Sequence, residues 1–128
     1  MRKRNRAMNK DEINRLKLEL KQFSGGGEFY RNPLFRDYVY TEGVRHLAEQ
    51  AGAYWWIDYI LSYQLDPKLV VQPFQVWKMV VQDDSAAVTV EDGNDNQIAT
   101  LTISYTDFPL GEITFWLIDK TLLLPSEY

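Results

Sequence analysis

His46 is the one histidine among 128 residues, so side-chain proton transfer near neutral pH centres on it. Glu42 stands four residues before it and Glu49 three residues after, spacings that share a face if the segment is helical. A carboxylate beside an imidazole is the minimum for general acid–base work: the acid fixes the tautomer while the free nitrogen moves the proton. Catalysis also needs a nucleophile or a substrate site, and the sequence holds no motif for either. A solvated helix face is the default reading of Glu42, His46 and Glu49, which leaves an acid–base enzyme as the weakest of three functional readings.

The chain has no cysteine, which excludes disulfides, thiolate metal sites and cysteine nucleophiles. In "DGNDN", Asp92, Asn94 and Asn96 match the first three ligand positions of an EF-hand calcium loop. Gln97 then stands where that loop needs glycine, and Ile103 where it needs glutamate. Between two β-rich runs these residues read better as a hairpin turn. The "SGGG" of residues 24–27 lacks the Gly-Lys-Ser/Thr ending and the preceding strand of a phosphate loop. No metal and no cofactor is expected.

Charge is segregated. Residues 1–10 hold Arg2, Lys3, Arg4, Arg6 and Lys10 and no acid, which leaves nine of the 14 basic residues against all 18 acids, a net of −9, for the rest. A basic arm on an acidic body can meet nucleic acid, another subunit, or nothing. Arg2, Lys3, Arg4 and Arg6 would bind phosphates with salt-dependent affinity. The acidic body repels nucleic acid and no recognised nucleic-acid motif is present, so this is the alternative reading. No apolar run approaches the ~18 residues of a membrane span, and no apolar stretch follows the basic start as in a signal peptide. A cytoplasmic protein without a membrane partner is expected.

These residues need elements to position them. "NKDEINRLKLELKQF" predicts a first helix, with Asn9 and Glu12 at capping-box spacing and Ile13, Leu16, Leu20 and Phe23 on one stripe. A single-stripe helix beyond a triple glycine must dock on the body or on another subunit. Thr41 caps a second helix with Val44, Leu47, Ala48 and Ala51 as its core stripe, and Gly52 closes it. A third helix runs from about Ala53 to Leu65, ended by Asp66-Pro67. Four β-rich runs follow, Phe74–Gln82, Ala86–Glu91, Gln97–Tyr105 and Ile113–Ile118, and their short breaks favour an antiparallel meander. "YTDFPLGE" reads as a connection that plugs one end of the core. The expected fold is α+β, three N-terminal helices packed on one face of a four-stranded antiparallel sheet. Residues 1–23 form a basic arm and amphipathic helix, and residues 28–128 a single domain.

"AGAYWWIDYI" (51–60) places two tryptophans side by side, and a helix sends adjacent side chains in different directions. At 100° per residue Trp56 falls with Ile57, Ile60 and Leu61 on the core side, while Trp55 and Tyr59 fall on a second face. Either the connection "FYRNPLFRDYVY" covers that face, or it is an interface, where Trp and Tyr are enriched as anchors.

The phrases "YTEGVRHLAEQAGAYWWIDYI", "FQVWKMVV", "EDGNDNQIA", "YTDFPLGEI" and "LLLPSEY" together resemble a family of small bacterial proteins, common in cyanobacteria and on mobile elements, catalogued as a domain of unknown function. The resemblance spans roughly residues 20–128. In that family the position of Trp56 is more often aliphatic, so the double tryptophan is a departure. The resemblance implies a single compact domain and supplies no activity, cofactor or catalytic residue.

The favoured reading is a non-enzymatic interaction or accessory module, self-associating as a homodimer or bound to a protein partner. Leu16, Leu20 and Phe23 of the first helix, with Trp55 and Tyr59, would supply the partner surface.

Overall fold

The computed structural model describes residues 8–128. Helix α1 spans Lys10–Leu20. Asn9 Oδ1 accepts from the Glu12 amide at 2.8 Å while Glu12 Oε1 accepts from the Asn9 amide at 2.9 Å, the reciprocal cap read from the sequence. Strands β1 (Phe29–Arg31) and β2 (Val39–Thr41) pair as a hairpin. β2 runs straight into α2 (Glu42–Ala51), whose cap is Thr41 and whose left-handed closing residue is Gly52 at φ 63°. α3 (Tyr54–Ser62) continues into a 3-10 turn at Tyr63–Leu65, and a short α4 (Pro67–Val70) starts on Pro67 with Asp66 as its cap. The long strands follow: β3 (Phe74–Gln82), β4 (Ser85–Asp92), β5 (Gln97–Ile103) and β6 (Glu112–Ile118). β7 (Thr121–Leu123) and a 3-10 turn at Pro125–Glu127 complete the described chain.

The sheet has seven strands in the order β1-β2-β7-β6-β3-β4-β5, with β2 and β7 parallel and every other pair antiparallel. This corrects the expected four-stranded antiparallel sheet under three helices. The class remains α+β, but the sheet is mixed, there are four α-helices among the described residues, and two strands precede α2. The additions, β1, β2, β7 and α4, are three or four residues long, too short to show a period of two or of 3.6. The meander fails as well, because β6 lies beside β3 and not beside β5. The connection from β5 to β6 passes the end of the β3–β4 hairpin, where the Thr106 amide donates to Asp84 O at 2.7 Å, and it buries Phe108 and Leu110.

Alternation sorts the long strands into two faces. Trp77 and Met79 of β3, Val88 and Val90 of β4, and Phe115 and Leu117 of β6 are buried on the inner face, where α3 brings Trp56. Gln75 is buried there too, and its amide is satisfied. It exchanges hydrogen bonds with Gln64 at 2.9 and 3.0 Å, and its oxygen accepts from Trp77 Nε1 at 2.8 Å. Gln75 is the shared member of this buried network: without it the Trp77 N–H and the Gln64 oxygen would both lose their partner. Leu16 and Leu20 of α1 belong to the same core cluster.

Candidate functional site

Trp56 answers the question that the paired tryptophans pose. It is 0% exposed, with ring centroids 6.4 Å from Trp77 and 6.2 Å from Phe115. Trp55 is half-buried and meets Trp56 edge-on at 6.1 Å. Tyr59, also half-buried, stacks on Trp56 at 5.7 Å and meets Tyr63 at 5.2 Å. Burial first, then its hydrogen bond with Tyr63, raises the Tyr59 phenol above the ordinary tyrosine value. The connection between β1 and β2 is moored to this helix. Asn32 donates to Asp58 Oδ1 at 2.9 Å, and its own oxygen accepts from the Leu34 and Phe35 amides at 2.8 and 2.7 Å. Trp55 and Tyr59 are thus partly sheltered by their own chain.

The sequence reading left open whether the first helix docks on its own body or on another subunit. Leu16 and Leu20 are buried, and Phe23 is half-buried with its ring 5.4 Å from that of His46. The amphipathic helix docks in cis, because α2 offers the apolar face that α1 cannot do without. In this arrangement Leu16 and Leu20 are not presented to a partner. Arg2, Lys3, Arg4 and Arg6 lie outside the described residues.

His46 does not pair with Glu42 or Glu49. Its Nε2 lies 2.8 Å from Glu19 Oε1 on α1, a contact across 27 residues that no helical spacing could reveal. Glu49 instead takes the Tyr54 hydroxyl at 3.0 Å and Arg45 at 3.5 Å, and Glu42 lies against Gly27. A shallow cavity of about 190 Å³ beside His46 is lined by Glu12, Arg15, Glu19 and Gln50, with Met8 and Leu16. Among the described residues no serine, threonine, tyrosine or lysine lines it. The pair joins α1 to α2.

Asp92 is occupied by its own turn. Its carboxylate accepts from the amides of Asn94 and Asn96 at 2.8 and 3.0 Å and from Asn96 Nδ2 at 3.1 Å, and these bonds hold it below the ordinary aspartate value. Among the described residues no group of three His, Cys, Asp or Glu side chains is arranged to hold a metal ion. Among them, too, no helix is long and apolar enough to cross a membrane.

The surface that the sequence reading missed is the outer face of the sheet. Phe74 and Trp116 point away from the helices, their rings 5.2 Å apart, and Tyr128 completes the group at 6.0 Å from Phe74 and 5.4 Å from Trp116. Tyr128 is 78% exposed and Phe74 and Trp116 are half-buried. The signal was present in "ITFWLI": adjacent aromatics in a strand must face opposite sides, so Phe115 and Trp116 cannot both be core.

A groove of about 350 Å³ opens beside Tyr128, with Phe29, Ile118 and Leu123 as apolar lining and Glu28, Glu42 and Asp119 on its rim. The turn at Pro125–Glu127 holds Tyr128 in place. Glu127 Oε1 accepts from the Thr41 hydroxyl at 2.6 Å and the Leu124 amide at 2.9 Å, while Oε2 accepts from the Gly43 amide at 3.1 Å. A carboxylate at the start of α2 satisfies free amides and complements the helix dipole. A Cβ at Gly43 would sit 2.6 Å from Leu124 Cδ1 and 2.8 Å from the Glu127 carboxylate, so both side chains would have to shift to admit one. Ser126 donates to Leu20 O at 3.2 Å, so the same turn ties down the end of α1.

No curated protein and no solved structure matches this chain. A family model does match, over residues 14–128, which takes in most of α1 and all that follows. On that match, the chain belongs to the family of unknown function DUF6876.

Proposed function

We propose that this protein is a non-enzymatic interaction module that binds a protein partner through the outer face of its sheet. One observation carries the reading: Phe74, Trp116 and Tyr128 form an aromatic group on the side of the sheet opposite the core, next to an apolar groove with an acidic rim. Clustered aromatic rings on an accessible surface are what interaction hot spots are made of. The rim carboxylates Glu28, Glu42 and Asp119 select the partner's chemistry, an exposed segment with an apolar side chain flanked by Lys or Arg. A family on bacterial mobile elements, as the resemblance implies, would make such a module an accessory protein.

The other two readings have less support. His46 and Glu19 form a helix-to-helix tie, and among the described residues no serine, threonine, tyrosine or lysine lines the cavity beside them. Phosphate binding by Arg2, Lys3, Arg4 and Arg6 rests on their charge alone.

A photo-crosslinking side chain at position 128, in the protein's native cells, tests the proposal. It should give a discrete protein adduct that the same group at position 95 does not, and Trp116→Ala should remove that adduct without changing the circular dichroism. Absence of an adduct from well-folded protein overturns the reading. So does an adduct that maps to the chain's own residues 1–8, because the basic arm would then be the occupant.

A further inference from the structure

β5 is an edge strand: among the described residues its one neighbour is β4. The other edge, β1, is defended. It has three residues, carries Arg31, and Pro33 follows closely. Shortness, charge and proline are the devices that stop an edge from recruiting another strand. β5 has none of these across its seven residues, QIATLTI; its one irregularity is a register shift at Ile98, near one end, and Ala99–Ile103 pair regularly with β4. Every second residue of an edge strand turns its N–H and C=O away from the sheet, unpaired.

The apolar side of β5 is also unfinished. Ala99, Leu101 and Ile103 are half-buried, whereas the β4 residues opposite them, Val90, Val88 and Ala86, are 0%, 0% and 3% exposed. The core reaches β4 fully and covers β5 only in part.

We infer that β5 is the self-association edge of this protein. A second copy adds its β5 antiparallel across a two-fold axis at Thr100, and the two sheets become one. Thr100 then faces the partner's Thr100, and Ala99 faces the partner's Leu101, so the half-open apolar row of each copy is extended by the other. Threonine pairs and aliphatic pairs are favourable cross-strand neighbours. Gln97–Ile103 contains no charged residue, so no like charges meet across the paired strands. The pairing is isologous and stops at two copies, because the remaining β1 edges are defended. It uses a surface separate from the outer-face aromatic group and does not depend on it.

Sedimentation velocity on the full chain over about a hundredfold range of concentration reads the equilibrium. The unmodified chain should reach a dimer, and Thr100→Lys, which sets two ammonium groups against each other on the exposed side, should weaken it at least about tenfold with unchanged circular dichroism. Because the chain has no cysteine, Thr100→Cys gives a clean second test. Directly opposed antiparallel residues have Cα atoms about 4.5–5.5 Å apart, within disulfide range, so oxidation should trap a covalent dimer. Thr89→Cys, one strand inward in the same row, should not cross-link. A chain that stays monomeric throughout overturns the inference. A dimer indifferent to Thr100→Lys, with no cross-link from Thr100→Cys, overturns it too. Neither result bears on the adduct at position 128, which judges the outer face separately.

Discussion

On β3 and β6, Trp77 and Phe115 face the helices while Phe74 and Trp116 face the other way, and the two pairs of rings obey different constraints. Trp77 is sealed, touches Trp56, and gives its N–H to Gln75. Trp116 touches Phe74 and Tyr128 and is half-buried. The inner pair has fixed neighbours on every side and a polar network to keep intact. The outer pair has one covered flank and one free flank. Residue type therefore does not separate the sealed rings from the accessible ones in this sheet, but facing does.

Substitution breaks or sharpens that contrast. Trp77→Ala should cost about 3–5 kcal/mol in urea unfolding, since it opens a large cavity and takes one of the two donors from the Gln75 carbonyl. Trp116→Ala should cost about 1 kcal/mol, in keeping with its smaller buried area. Equal losses would mean that the two faces do not differ. Glu127→Ala should fall between the two, at about 2 kcal/mol, because Thr41, Gly43 and Leu124 lose a charged acceptor together; an unchanged unfolding midpoint would show that these three bonds add nothing to stability.

The smallest effect is at Tyr59. Its folded-state value is raised above the ordinary 10.0, so its contribution is complete below that pH and is lost as pH rises through the folded value. The urea midpoint should fall above pH 10, and Tyr59→Phe should reduce that fall. An equal fall in the variant would assign the alkaline loss to other groups.

What the sequence discloses follows the range of the interactions. The Asn9–Glu12 cap, the Thr41 cap and the left-handed Gly52 are local, and each can be read within four residues. Trp56 as the core member of its pair follows from helical rotation alone. The long strands announce themselves by alternation, whereas β1, β2 and β7 are created by their neighbours: three residues of "FYR", "VYT" or "TLL" become strand only because another strand lies alongside. The partner of His46 was equally out of reach, since Glu19 belongs to a different helix. The outer aromatic group fell between these cases. Its strands were identified, but Tyr128 joins Phe74 and Trp116 only through the tertiary fold.

The hold of Glu127 on Thr41 sets an order of events during synthesis. A ribosome delivers Thr41 86 residues before the carboxylate that it will bond, and at about 5–20 residues per second the interval is at least about four seconds. β2 waits as long for its parallel neighbour β7. Until then α2 begins with an exposed amide, and only the other hairpin strand flanks β2. The nascent chain therefore passes through a stage in which Thr41 and β2 await residues 121–127.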